Sequence, residues 1–184
     1  MGLDAYVYCD CLEQGRLERP LPKDVSVRMQ PDGYPVVVKS GREIWDDDPE
    51  ADAFACEHTH RARLHHRLGN ISLIALLRSE LAREGARFPI LLRRVIYNGI
   101  HASDHLPVNM IPDLRGEIER LKSFRCVGNF PASRVTRLAW KLFLIPRYHY
   151  TSAAEADRFM HCFRLQMAEL CDVASGIGKP IAFG

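Results

Sequence analysis

No stretch of this chain approaches the roughly 20 consecutive apolar residues that a membrane-spanning helix needs. The opening Met1-Gly2-Leu3-Asp4-Ala5-Tyr6 has no basic region followed by an apolar segment, as an export signal would. Tyr6 also stands where a myristoylation pattern wants serine or threonine. Low-complexity tracts, internal repeats and the composition of a disordered chain are missing too. So are a nucleophile elbow, a dinucleotide fingerprint and a zincin helix. Gly176-Ile177-Gly178-Lys179-Pro180 lacks the leading glycine, the spacing and the following hydroxyl residue of a phosphate loop. These absences give the expectation of a cytoplasmic protein with no membrane partner and no familiar catalytic signature.

What is present is ordinary in bulk and uneven in distribution. The 184 residues are 47% hydrophobic and 26% charged, which suits a single globular domain over residues 1–184 with a core that needs no staples. The net charge of +2 conceals a split. Residues 1–57 carry 13 acids against 6 bases, or −7, and residues 58–184 carry 10 acids against 19 bases, or +9. Such a split orients a partner electrostatically, or draws the two parts together within one fold.

The acidic first part reads as strands. Leu3 to Cys9 alternates, as does Val25 to Met29; Pro31-Asp32-Gly33 turns the chain into Tyr34 to Lys39, and Glu43-Ile44-Trp45 adds a short strand. Asp46-Asp47-Asp48-Pro49 is a solvated turn, or an oxygen-rich cation site of unusual spacing. After residue 68 the period becomes helical. Asn70 caps a helix with Ile71, Ile74, Leu77 and Leu81 on one stripe. Pro89 opens a second helix, or a buried strand, through Ile96, and a third spans roughly 110–124 with Ile111, Leu114, Ile118 and Leu121 inward. Residues 133–145 read as a helix capped by Ser133 or as a strand ending before Pro146. Ser152 and Glu155 form a capping box opening a helix whose inward row is Ala156, Phe159, Phe163, Met167 and Leu170. Cys162 and Cys171 fall in that helix as buried thiols. Pro180 to Phe183 looks like a terminal extended segment. Strands first and helices afterward make an α+β fold, an N-terminal antiparallel hairpin or sheet packed against a helical C-terminal two-thirds.

Four groups of residues carry possible chemistry. Cys9 and Cys11, with Cys56 and His58, supply three thiolates and one imidazole, the donor set of a structural zinc, provided folding brings the two pairs together. In extended backbone, residues i and i+2 project to one face, so each pair would point together; the alternative is unligated thiols. A second cluster crowds His58, His60, His65 and His66 with Arg61, Arg63 and Arg67. As a helix it would set Arg61 and His65 on one face for phosphate or nucleic acid; otherwise it is a solvated basic loop. A polar loop holds His101, Asp104 and His105, candidates for a metal or an acid–base pair. Arg134, Arg137 and Lys141 line a basic row if 133–145 is helical, a face for an acidic partner or a nucleic-acid backbone.

The runs Met1 to Cys11, His66-Arg67-Leu68-Gly69-Asn70-Ile71, Gly99-Ile100-His101-Ala102-Ser103-Asp104 and Gly178-Lys179-Pro180-Ile181-Ala182-Phe183 resemble a set of short bacterial proteins that begin Met-Gly-Leu-Asp. The likeness is in patches from end to end, and where that set carries Gly-Thr-His-Ala-Gly-Asp this chain has Ile100 and Ser103. No activity is established for that set, so the resemblance implies a bacterial, single-domain origin and no mechanism. Three functions fit the residues. The first is a small protein-binding module of the immunity or antitoxin kind. The second is a metal-dependent enzyme using His101, Asp104 and His105, with the cysteine set as structural zinc. The third is nucleic-acid binding through the basic part, for which a pI near 8.2 is low.

Overall fold

The computed structural model describes residues 2–97, 104–127 and 152–184. The expected α+β fold is present. A main sheet has the strand order β5-β1-β7-β6 and a second sheet the order β2-β3-β4. Strand β1 is Gly2–Tyr8, and its alternation is regular: Leu3, Ala5 and Val7 are buried while Asp4, Tyr6 and Tyr8 face outward, half-exposed. It pairs antiparallel with β5, Ala62–Asn70, with Tyr6 opposite His65.

The C-terminal segment does more than tuck onto the core. As β7, Ile181–Phe183, it lies between β1 and β6, His105–Leu106. Asp4 and Gly184 exchange both backbone hydrogen bonds, at 2.9 and 3.1 Å, and Phe183 N–H donates to the Asp104 carbonyl at 2.8 Å. Three of the four strands of the main sheet therefore come from the basic part: β7 from the segment expected to be extended, β6 from the expected polar loop, and β5 largely from the basic stretch read as a helix or a solvated loop. Gly2 is required at the edge of this sheet: a Cβ there would sit 2.6 Å from the Gly69 carbonyl oxygen.

One face of the main sheet is covered by α1, Ile71–Ala82, and by the long C-terminal helix α3, Ala153–Ile177, against which α2, Ile111–Arg120, packs. Both halves of the Ser152/Glu155 capping box are made, and α3 ends at Gly178 in the left-handed conformation (φ 67°). Phe163, Met167, Leu170, Ile118, Leu114 and Leu81 meet Ala5 and Val7 in one core. Some expectations shift. Ile71 is exposed, because as the first helical residue it stands off the buried row of Leu76, Leu77 and Leu81. Cys162 is exposed, one position away from the inward row, whereas Cys171 is buried. Residues 91–95 form a single π turn (Leu91–Val95). The buried Glu117 carboxylate accepts the Ile90 and Leu91 N–H groups, each at 2.8 Å, and burial raises its pKa despite those two bonds.

The second sheet comprises β2, Val25–Met29, β3, Pro35–Lys39, and β4, Arg42–Ile44. It covers a smaller core of Leu12, Val37, Ile44 and Phe54. Residues 133–145, including Arg134, Arg137 and Lys141, lie outside the described residues, as does His101. Among the described residues no helix is long and apolar enough to cross a membrane.

Candidate metal centre

Folding does bring Cys9, Cys11, Cys56 and His58 together, with one donor atom from each lying within 4.8 Å of all the others. The strand alternation expected to align them is not the device. Cys9 is the first residue beyond β1, and its N–H donates to the Arg61 carbonyl at 2.7 Å, extending the β1–β5 ladder into the site. The chain then folds back on itself. Arg16 N–H reaches the Cys11 carbonyl at 2.8 Å and Gln14 N–H the Asp10 carbonyl at 3.0 Å. Buried Asp10 holds this turn by accepting from the Gln14 amide and the Arg16 guanidinium. The other limb arrives through a 3-10 turn, Ala51–Phe54, whose Phe54 anchors in the smaller core. It leaves through a second 3-10 turn, Thr59–Arg61, in which His60 and Arg61 both adopt left-handed backbone (φ 49° and 55°).

Three of the six donor separations lie within about 0.4 Å of the edges of a metal tetrahedron. With metal–sulfur bonds of about 2.3 Å and a metal–nitrogen bond of about 2.0 Å, sulfur–sulfur edges are roughly 3.8 Å and sulfur–nitrogen edges roughly 3.6 Å. Cys9 Sγ and Cys56 Sγ are 3.7 Å apart. His58 Nδ1 lies 3.3 Å from Cys11 Sγ and 4.0 Å from Cys56 Sγ. Cys9 and Cys11 are buried, and Cys56 and His58 are half-buried. Burial pushes the Cys9 thiol up to about 12 and raises Cys11 as well. Burial thus opposes the thiolate form of Cys9 and Cys11, and a dication would supply the charge that stabilises thiolates there. The cluster can therefore hold a metal ion, and among the described residues it is the one group of this kind.

The basic segment after the cluster is a strand, not a helix or a loop. Alternation sends His65 and Arg67 to the open face of the sheet, and Arg63, at a register shift opposite the Val7–Tyr8 step, is exposed, while Leu64, His66 and Leu68 turn toward the helices, His66 reaching Glu169 of α3 at 2.7 Å. Arg61 departs from the sequence reading: it does not share a face with His65 and is 5% exposed. Its Nη1 donates to the Pro35 carbonyl at 2.6 Å, its Nε pairs with Asp46 at 3.2 Å, and its guanidinium lies 5.7 Å from the Tyr34 ring centre. Arg61 thus ties the metal-binding limb to the second sheet. The three adjacent acids are dispersed: Asp46 serves Arg61, Asp48 pairs with Arg42 at 2.6 Å, and Asp47 is exposed. Asp104 and His105 are half-buried at the far side of the sheet, with His105 opposite Ala182 in register.

A row of aromatic rings, not foreseen from the sequence, runs across the open face. His65 stacks on Tyr6 (centroids 4.5 Å), Tyr6 on Tyr8 (6.1 Å), Tyr8 meets Tyr34 edge-on (5.1 Å), and Tyr34 stacks on Trp45 (5.9 Å). The outward positions 6, 8 and 65 were the available signal; the contribution of Tyr34 and Trp45 depends on how the two sheets meet. Burial pushes the Tyr8 phenol up to about 12 and raises Tyr34, so both stay neutral. No protein-family profile, curated protein or solved structure matches the chain.

Proposed function

We propose that the chain is a zinc-stapled binding module, in which Cys9, Cys11, Cys56 and His58 hold a structural zinc. The observation that carries this is the convergence of the four donors within 4.8 Å of one another. Three thiolates and one imidazole favour zinc over the hard, oxygen-seeking cations. Four protein donors complete a tetrahedral shell, which leaves no position for a substrate and supports a structural role over a catalytic one. The site joins the end of β1 to the start of β5, and Arg61 carries the connection to β3 and Asp46.

The test is elemental analysis of the full chain purified without added metal. One zinc per chain is the expected result, and cobalt substitution should give the visible spectrum of tetrahedral thiolate coordination. Cys11→Ser and Cys56→Ser should each abolish stoichiometric zinc, while Cys162→Ser, an exposed cysteine outside the cluster, should leave it unchanged. Folded protein that is metal-free and does not take up zinc or cobalt overturns the reading.

A further inference from the structure

We propose that the open face of the main sheet binds single-stranded nucleic acid, bases stacking on the exposed end rings His65 and Trp45, which the inner rings Tyr6, Tyr8 and Tyr34 hold in place, and phosphates meeting Arg63 and Arg67. This rests on the zinc-stapled reading, because Arg61, at the end of the metal-binding limb, helps hold Tyr34 and Trp45 in line with the rings of the main sheet.

The rings lie on the face opposite the helices. Tyr8, Tyr6 and His65 are parallel to within 5° from one to the next, and the row ends in exposed groups: the His65 side chain is 49% exposed and Trp45 44%. Stacking platforms of this kind accept any base, since every base has a π-face. Open sheet faces with aromatic rings are one way unpaired bases are read.

Charge selects the occupant. Arg63 and Arg67 are exposed and form no ion pair among the described residues. They lie roughly 13 Å apart on β5, either side of His65. Of the acids beside the row, Asp46 pairs with Arg61 and Asp48 with Arg42, while Asp4 contacts the His65 imidazole, Asp32 accepts the Tyr34 N–H and Asp47 is exposed. Two exposed guanidiniums on β5 without an ion pair among the described residues, beside rings with exposed ends, suit phosphates carrying unpaired bases.

Fluorescence anisotropy of labelled, mixed-sequence single-stranded DNA and RNA tests this, using full-length protein whose zinc content is measured on the same sample. Binding should weaken with salt, with a log–log slope of about −1.4 for two phosphate contacts. Duplex of the same sequence should bind more weakly. Trp45→Ala and His65→Ala, both at exposed ends, should each weaken binding roughly 5- to 150-fold with an unchanged melting temperature. The double variant Arg63→Ala/Arg67→Ala should flatten the salt dependence. Arg158→Ala, on α3 behind the sheet, should change nothing. No binding at low salt by zinc-replete protein overturns this proposal and leaves the metal reading intact; zinc-free folded protein that binds overturns the metal reading alone. Polyglutamate binding as tightly as single strands also overturns it and assigns the face to an acidic protein.

Discussion

Stripping the metal should lower the melting temperature by roughly 5–15 °C, and the size of that drop follows from where the four donors lie in the chain. Cys9 and Cys56 are 47 residues apart. A cross-link closing a loop of that length removes denatured-state entropy worth about 4 kcal/mol at 25 °C. Against this stands the left-handed backbone at His60 and Arg61, which costs on the order of 1 kcal/mol per residue and relaxes when the limb is released. A net of about 2–4 kcal/mol remains. For a chain of this size each kcal/mol moves the midpoint by roughly 2–4 °C. Thermal unfolding followed by far-UV circular dichroism, with and without a strong chelator, reads the shift directly. Cys56→Ser should reproduce the chelated value and be indifferent to chelator. A zinc-loaded protein whose midpoint moves by less than about 2 °C on chelation would refute the reasoning, since the loop would then be closed by the fold alone.

Arg61→Leu removes a buried cation from the Pro35 carbonyl and Asp46. Breaking such a site costs about 3–5 kcal/mol, here toward the lower figure because a third of the Asp46 side chain reaches solvent; urea unfolding measures it, and the same variant should bind zinc more weakly. Glu117 has a raised pKa, so folding favours its protonated form. Its contribution to stability is greatest below the usual carboxylate pKa of about 4.3 and falls as pH rises through the raised value. The difference between wild type and Glu117→Gln across that window should show this slope, and a pH-independent difference would contradict it. Gly2→Ala forces a Cβ against the Gly69 carbonyl and should cost about 1–3 kcal/mol, read by the same unfolding curves; a neutral effect would mean that the strand edge yields freely.

Periodicity alone determined most elements. Leu3 to Tyr8 alternates because one face must be buried, Ser152 and Glu155 satisfy the orphan N–H groups of α3, and Ile111, Leu114 and Ile118 recur at helical spacing. The four metal donors were legible as residue types, because thiol and imidazole chemistry is local to the side chain. Their meeting was not, since it depends on a turn held by Asp10 and on Phe54 anchoring the opposite limb. Residues 62–70 misled for a related reason: charged groups at every second position of an edge strand leave too little apolar pattern to mark a strand, and only pairing with β1 makes them one. The buried role of Arg61, the central position of Ile181–Phe183 and the aromatic row all arise from contacts between residues far apart in the chain. Local spacing sets which face a side chain can take; long-range packing decides what it meets there.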